Sequence, residues 1–418
     1  MSHQTAALGA GAGSVLPKKI NQGPQANFRQ ALILLLASCM PVLGMVLIAP
    51  GLPRIQAYFG GVPHVEVLAP VALTIPSLFI ALLSPVAGAI ADFFGRKRLL
   101  IGCLALYAVA GTAPLWQQDL IAIIISRGFV GIAEAGIMTA CTTMIGDYFH
   151  GGQRERYLSL QTIFATMCAT LFLMAGGALG EIDWRTPFAV YAVALALIPA
   201  VALGLWEPNK ASEALAEDGH NGHNRIHTRW RFVAFICLVT LLGGIAFFTT
   251  QVELGFLLEL QGVSSPKQVG LAIASGSLMV TIGAILFRRL VHAGVPTLLT
   301  LSFAMAGVGF LQMSWASSYT EMLVGVVINN LGTGLLLPSL LVWVMRQLPF
   351  EQRGRGTGLW TASFYLGQFV CPLVVMAMTQ PVGSLPGAIG IFGWCALALA
   401  GLSLAGVLRK SGHRHGKH

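Results

Sequence analysis

The sequence predicts an all-α membrane protein with twelve transmembrane helices, and three observations support this fold class. The 418-residue chain is 55% hydrophobic and only 10% charged, whereas about a quarter of the residues in a soluble domain are charged. Its mean hydropathy is +0.74. The cations stand in short segments between long apolar ones, not together on one surface, so the net charge of +9 predicts no nucleic-acid partner. The partner expected from composition is membrane lipid.

A membrane-spanning helix needs roughly 20 mostly apolar residues. Twelve segments meet that requirement, and we number them as spans 1 to 12: 29–50, 66–87, 99–116, 119–147, 157–179, 187–206, 232–258, 269–290, 295–314, 319–345, 355–379 and 386–408.

The distribution of the 25 Lys and Arg residues predicts the orientation. Arg54, Arg185 and Lys267 fall on one side of the membrane and Arg127 lies within a span, which leaves 21 cations on the other side. Because basic loops stay in the cytoplasm, both termini are expected to be cytoplasmic. This predicts a multi-pass protein of the bacterial inner (cytoplasmic) membrane.

A long polar segment, 207–231, is expected to be a cytoplasmic loop between two six-helix halves, 29–206 and 232–408. Residues 1–28 and 409–418 are expected to be cytoplasmic tails. The halves echo each other, because Gly88-Ala-Ile recurs at Gly283 and Gln153-Arg154 recurs at Gln352. The offsets are 195 and 199 residues. Near-equal offsets indicate duplication of a six-helix unit.

The loop between spans 2 and 3 carries the most specific pattern in the chain. It contains Gly88, Asp92, Gly95, Arg96 and Lys97 in the order G-x-x-x-D-x-x-G-R-K. This loop resembles the signature of the major facilitator superfamily. The resemblance implies two pseudo-symmetric six-helix bundles around a central cavity. It also implies transport by alternating access, driven by a proton gradient without a cofactor, in a monomer.

The same resemblance implies an inner gate. In family members the acid at the position of Asp92 meets the amino end of span 11 when that gate is shut, where the helix dipole favours a negative charge. Asp147, Arg154 and Arg353 are placed to join this charge network.

Span 4 carries two charged residues, Arg127 and Glu134, deep in an apolar segment. Such residues are costly in a membrane and are functional candidates by default. Seven residues turn a helix by about 700°, so both side chains face nearly the same way, roughly 10 Å apart along the axis. We expect them to share an aqueous cavity and to couple transport to protons. The alternative is that each is a static polar link between helices.

The segment around Arg127 and Gly131 also resembles the R-x-x-x-G motif of proton-linked family members.

Further candidates lie in spans 1, 5, 7, 10 and 11. Glu253, toward the outer end of span 7, is either a third proton-coupling residue or an interfacial acid that faces water. Amides, aromatics and methionines among apolar residues suit an amphipathic cavity, although each alone is as often a packing residue. The predicted cavity residues are Met40, Met45, Gln161, Thr249, Gln251, Asn329, Asn330, Trp360, Tyr365 and Gln368.

The sequence predicts neither an enzyme nor a metal site. The motifs G-x-x-x-x-G-K-[ST], H-E-x-x-H and G-x-S-x-G are absent, so no ATP-driven motor or hydrolase is expected. All seven cysteines lie in apolar segments, where we expect them to pack as small apolar side chains. His413, His415 and His418 are interpreted as part of a solvated tail.

The function expected is proton-coupled efflux of an amphiphilic small molecule, such as a drug, a siderophore or another metabolite. One alternative is proton-coupled uptake of a small organic acid, with Arg127 binding its carboxylate. Another is a sensor that moves no solute. The direction of transport stays open, because Cys168, Phe172 and Leu173 stand where antiporters of the family carry Gly, Gly and Pro before the pair Gly176-Gly177.

Overall fold

The computed structural model describes residues 26–207, 230–348 and 353–415. Within those ranges it contains twelve helical segments long and apolar enough to cross a membrane, as predicted. Their bounds are Phe28–Tyr58, Val65–Leu83, Arg96–Leu115, Leu120–Tyr148, Gly151–Ile182, Thr186–Gly204, Arg231–Leu260, Pro266–Ala293, Val295–Trp315, Tyr319–Met345, Gly356–Val382 and Leu385–Ala405.

Some of the segments and side chains named in the predictions lie outside the described residues. These are most of the amino-terminal tail, nearly all of the central loop and His418, together with the side chains of Arg353, His413 and His415.

Several helices extend beyond their predicted ends. Span 5 begins at Gly151 instead of residue 157, and span 7 continues to Leu260. The apolar pattern marks only the part of a helix that lies in the bilayer, whereas backbone hydrogen bonding continues into exposed polar residues.

Span 1 is broken into four pieces. Helices Phe28–Ala37 and Met40–Val46 are followed by a 3₁₀ turn, Ala49–Gly51, and a further helix, Leu52–Tyr58. Each of the last three pieces carries a proline at its first or second position. Proline lacks the N–H that an uninterrupted helix would use but fits a helix start. The breaks leave backbone carbonyls available in the middle of the span.

The two halves are in tight contact at one end of the interface between them. We call the end that carries the Gly95 turn the basic end, and the other the opposite end. At the opposite end, a Cβ on Gly177 of span 5 would lie 2.6 Å from the carbonyl oxygen of Pro266, which begins span 8. A Cβ on Gly270 would lie 2.7 Å from the carbonyl oxygen of Leu173. Small residues let these backbones approach closely, and the opposite end is closed.

The basic end is more open. Of the described side chains from 151 to 172 in span 5, none is buried, and the first buried one is Leu173. Because this stretch covers several full turns, no face of that part of the helix is fully buried by protein. Spans 2 and 11 nevertheless stay close there, since a Cβ on Gly358 would lie 3.6 Å from Cα of Pro85. The cleft between the halves therefore opens along span 5.

Candidate functional site

Arg127 lies at the centre of the first half and is fully buried. Its guanidinium donates to the hydroxyl of Tyr191 at 2.5 Å, to the carbonyl of Gly44 at 2.6 Å and to the carbonyl of Ala72 at 3.4 Å. It also lies 5.3 Å from the ring centroid of Tyr191. One side chain of span 4 thus links spans 1, 2 and 6.

The sequence explains why these backbone acceptors are free. Pro76 in span 2 has no N–H, so the carbonyl of Ala72, four residues earlier, has no helical donor at that position. Gly44 lies in the last turn of Met40–Val46, where carbonyls lack intrahelical partners. The proline of span 2 and the break in span 1 therefore create the sites that Arg127 fills.

Two tyrosines complete this cluster, and the sequence analysis missed both. The hydroxyl of Tyr191 donates to the carbonyl of Gly44 at 3.1 Å, and that of Tyr107 donates to the carbonyl of Met40 at 2.6 Å. Both rings are fully buried, with centroids 5.0 Å apart. A buried tyrosine hydroxyl normally has a partner, so a lone Tyr in the middle of an apolar segment was the signal available.

Glu134 has a different environment from Arg127. It is fully buried, and neither carboxylate oxygen has a hydrogen-bond partner in the part of the chain that the structure describes. A Cβ on Gly44 would collide with its Oε1, so the carboxylate lies against the broken part of span 1. Arg127 and Glu134 therefore meet at Gly44, on one face of span 4 as predicted. Protein atoms cover both, in contrast to the open aqueous cavity that we expected.

Glu253 is also buried, with 6% of its surface exposed. This burial does not fit the alternative of an interfacial acid that faces water. Thr249, one turn earlier, donates to the carbonyl of Ile245 at 2.8 Å and lies 3.4 Å from the thiol of Cys371 in span 11. None of the ion pairs among the described residues involves Glu253.

Three predicted cavity residues lie in span 11, and Tyr365 contacts the other half. The hydroxyl of Tyr365 lies 3.9 Å from the sulfur of Met138 in span 4, across the boundary between the halves. Gln368 is 2% exposed, and its Oε1 has no partner among the described residues. Trp360 stacks on Phe364 with 5.8 Å between centroids, and its Nε1 is likewise buried without a described partner.

Asn329 and Asn330 differ from the prediction that they line the cavity. Asn329 donates to the carbonyl of Ala306 at 3.0 Å and accepts from Thr250 at 3.0 Å. Asn330 donates to the carbonyl of Val326 at 2.9 Å in its own helix. Both are buried. They serve packing in the second half, where an amide satisfies its hydrogen bonds against neighbouring helices.

The remaining predicted cavity residues differ in burial and in hydrogen bonding. Met40 is buried, and Met45 and Gln251 are half-buried. Gln161 of span 5 donates to the hydroxyls of Ser38 at 2.8 Å and Thr142 at 3.2 Å, and so connects spans 1, 4 and 5 near the open cleft.

The predicted inner-gate loop forms a compact charged turn. The short helix Ala87–Phe94, which includes Gly88, ends at Gly95, whose φ of +84° is readily adopted only by glycine. Arg96 then begins span 3 and forms ion pairs with Asp92, at 3.2 Å, and with Asp147 of span 4. The predicted network around Asp147 is therefore present in part. Arg154 lies close by, since a Cβ on Gly146 would be 3.3 Å from its guanidinium.

Glu207 also belongs to this turn, although the sequence analysis did not select it. Its carboxylate accepts from the backbone N–H of Arg96 at 2.6 Å and of Lys97 at 3.1 Å. Lys97 in turn donates to the carbonyl of Ala202 in span 6 at 2.7 Å. The amino end of a helix attracts a carboxylate, so span 6 is tied to the start of span 3.

A second charged contact, also missed, joins the two halves at the opposite end. Glu181 at the end of span 5 accepts from the hydroxyl of Ser265 at 3.0 Å and from the backbone N–H of Lys267 at 3.3 Å, at the start of span 8. Arg54 of span 1 lies 3.7 Å from the same carboxylate. We call this group of residues the latch.

Comparison with known proteins adds a family and a fold. The sequence model of the Major Facilitator Superfamily matches residues 34–372 and 236–415. "Multidrug resistance protein 1" of Bacillus subtilis (strain 168) is 26% identical over 349 residues, which cover 82% of this chain and 87% of that protein. The "Bacillibactin exporter" of the same strain is 25% identical over 327 residues, which cover 73% and 79% of the two chains.

Among solved structures, that of a D-xylose-proton symporter superposes with a TM-score of 0.73. The match covers 90% of this chain and 97% of the symporter, at 14% sequence identity. At this identity the likeness concerns the fold alone.

Proposed function

Because the chain belongs to the major facilitator superfamily, whose members are secondary transporters and not enzymes, we propose that it exports an amphiphilic small molecule in exchange for protons. A drug, a siderophore or another metabolite would fit this class of substrate. The names of the relatives in Bacillus subtilis, a multidrug resistance protein and a bacillibactin exporter, support efflux over uptake.

The observation that carries the proton-coupling part of this proposal is the environment of Glu134. A buried carboxylate without a hydrogen-bond partner is unfavourable when ionised. This free-energy cost falls when the carboxylate binds a proton or accepts a hydrogen bond from a bound ligand. A site that accepts either one, but not both together, exchanges substrate for protons. Glu253, the other buried acid, is a second candidate for this exchange.

The contacts of Arg127 weigh against the alternative of organic-acid uptake. Its donors already reach Gly44, Ala72 and Tyr191. A substrate carboxylate would have to displace buried hydrogen bonds to reach the guanidinium, which costs about 1–3 kcal/mol for each group left unsatisfied. Arg127 therefore suits a positioning role beside Glu134.

The shape of the interface supports alternating access between the halves 29–206 and 232–408. We assign the basic end to the cytoplasm, because it carries the cations of the Gly95 turn. The structure then represents a form open toward the cytoplasm along span 5 and closed at the opposite end by spans 5 and 8. In this proposal both termini are cytoplasmic, the segment 207–231 connects the halves, and the protein acts as a monomer in the bacterial inner membrane.

The proposal is tested by transport in proteoliposomes under an imposed pH gradient, with a panel of amphiphilic compounds and small organic acids. We expect at least one amphiphile to move against its gradient when protons flow the other way. Movement of acids together with protons, and of no amphiphile, would contradict the proposal.

A further inference from the structure

A cavity of about 130 Å³ lies between the two halves at the opposite end. Pro53 and Arg54 of span 1 line it from the first half, and Gly255 and Glu259 of span 7 line it from the second. Pro266, which begins span 8, lines it as well. None of the lining residues belongs to the cluster around span 4 described above. The cavity is therefore a separate candidate site, next to the latch.

The buried part of this cavity is apolar, and its charged groups lie nearer the surface. A Cβ on Gly255 would lie 3.1 Å from Cγ of Pro53, so spans 1 and 7 are in direct contact there. The other buried lining residues are Pro50, Pro266 and Val269, whereas Ala57, Glu259 and Ser264 are exposed. A ligand in this cavity would thus contact both halves, with an apolar part inside and a polar part toward solvent.

Two lining side chains of opposite charge, Arg54 and Glu259, come from different halves. Nη1 of Arg54 donates to the carbonyls of Gly180 at 2.9 Å and Glu181 at 3.0 Å. Its Nη2 lies 3.7 Å from the carboxylate of Glu181, which is too far for a hydrogen bond. A guanidinium has five N–H donors, so Arg54 keeps donors for a ligand. The ion pairs among the described residues do not include Glu259, whose carboxylate is an acceptor for a cationic group.

Size and charge together define the ligand. An apolar cavity of about 150 Å³ holds a benzene molecule, so a cavity of about 130 Å³ that opens to solvent suits a molecule of roughly six to eight non-hydrogen atoms. An ammonium group would donate to Glu259, and a carboxylate would accept from the planar fork of Arg54. A zwitterion satisfies both, whereas a simple cation would bring a second positive charge close to Arg54.

We propose that this cavity binds a compact zwitterion, such as a small apolar amino acid, which joins Glu259 of the second half to Arg54 of the first. Both charged groups are within reach of one small molecule only while the opposite end is closed. A ligand that binds one conformation better shifts the population toward it, so the zwitterion holds this end closed and slows transport. Binding itself does not depend on the proposed substrate or on protons, and only the effect on transport rests on the proposed alternating access.

The test uses hydrogen–deuterium exchange of the purified full-length protein in detergent, titrated with four probes. L-proline and 4-aminobutyrate are zwitterions with a shorter and a longer separation of charges. Pyrrolidinium and cyclopentanecarboxylate keep the ring size of proline but carry one charge each. We expect at least one zwitterion to slow exchange in peptides covering 173–182 and 265–270 at about tenfold lower concentration than either singly charged analogue, because each analogue lacks one charge-assisted hydrogen bond. No slowing by either zwitterion, or an equal effect of a singly charged probe, would overturn the proposal without any mutant.

Two variants locate the site. Glu259→Gln removes the negative charge and should weaken the zwitterion to the level of cyclopentanecarboxylate. Ala57→Leu adds an apolar group at the exposed part of the cavity and should weaken every probe that binds there. Glu66→Gln, which alters an exposed acid near the same end but outside the cavity, is the control and should keep the wild-type response. Arg54 is left unchanged in these variants, because it also belongs to the latch.

Undiminished slowing of exchange by the zwitterion in Glu259→Gln would place the ligand elsewhere and overturn the proposal. A different result would contradict the proposed function instead. If the zwitterion slows exchange at the opposite end in a way that depends on Glu259, but leaves transport in proteoliposomes unchanged when added on that side, then opening of this end is not a step of transport. The two failures are thus distinguishable.

Discussion

At the scale of single residues, hydrogen bonding distinguishes the two charged groups of span 4. Arg127 and Glu134 are both fully buried, yet Arg127 has three acceptors around it and Glu134 has no described partner. The sequence placed both in the membrane and on one face, because helical geometry fixes the direction of residues seven apart. It could not assign their partners, since Gly44, Ala72 and Tyr191 come from three other spans.

Glu134→Gln should abolish proton-driven transport in a folded protein. A neutral glutamine resembles the protonated acid and cannot release a proton, so exchange of substrate without a gradient should survive. The measurement is gradient-driven and exchange transport in proteoliposomes. Glu66→Gln, which alters an exposed acid of span 2, is the control and should behave like wild type. Gradient-driven transport by Glu134→Gln at the wild-type rate would show that another group carries the proton.

Arg127→Lys should lower stability more than it lowers substrate affinity. Lysine keeps the charge but lacks the planar fork of donors, and leaving one or two of the three acceptors unsatisfied costs about 1–3 kcal/mol each. Thermal unfolding in detergent, followed with and without a transported amphiphile, measures both effects. A large loss of affinity at unchanged stability would mean that Arg127 contacts the substrate directly.

At the scale of elements, the break in span 1 shapes the site. It brings Gly44 against the carboxylate of Glu134 and exposes its carbonyl to Arg127 and Tyr191. Hydropathy predicted a span at 29–50, and the prolines at 41, 50 and 53 were visible. Where the helix breaks depends on the neighbouring helices that satisfy its freed carbonyls, and a single sequence does not contain that information.

Gly44→Ala should therefore impair transport strongly. The new Cβ would occupy the position of a Glu134 oxygen, so the carboxylate or the backbone of span 1 must move. Gly51→Ala is the matched control in the same span, since a Cβ there meets nothing within 4 Å. Transport rates and melting temperatures of both variants are compared with wild type. Normal transport by Gly44→Ala would place the working carboxylate elsewhere.

Asp92→Asn tests the loop between spans 2 and 3. The substitution removes the ion pair with Arg96. In the proposed gate it also removes the attraction to the amino end of span 11, which is worth about 0.3–1 kcal/mol at an exposed site. We expect slower cycling with nearly unchanged substrate affinity, because the loop lies far from Glu134. Turnover in proteoliposomes and substrate binding in detergent measure the two quantities. Lost affinity at normal turnover would contradict a gating role for this loop.

At the scale of the whole molecule, the sequence predicted twelve spans and a duplicated unit, but not how the halves dock. Asn329 and Asn330 show why. An amide in an apolar segment can line a cavity or form hydrogen bonds to a neighbouring helix, and the sequence pattern is the same in both cases. The latch is a second example. Glu181 and Ser265 are 84 residues apart in sequence, and their contact joins the two halves at the opposite end.

The latch offers a test of that closure. Glu181 on the first half accepts from Ser265 and Lys267 on the second, and this carboxylate also lies near Arg54. Glu181→Gln removes the charge from these contacts, and Ser265→Ala removes one donor. Both variants should favour opening at this end, because the tight packing of Gly177 and Gly270 then lacks its polar reinforcement.

Hydrogen–deuterium exchange reports the opening without added labels. We expect peptides covering 173–182 and 265–270 to exchange faster in both variants than in wild type, while peptides of the Gly95 turn do not change. Glu66→Gln, an exposed acid in the first turn of span 2 near the same end, serves as the control and should leave exchange unaltered. Unchanged exchange in both latch variants would show that helix packing alone keeps this end closed, since the hydrogen bonds of Glu181 would then add nothing to it.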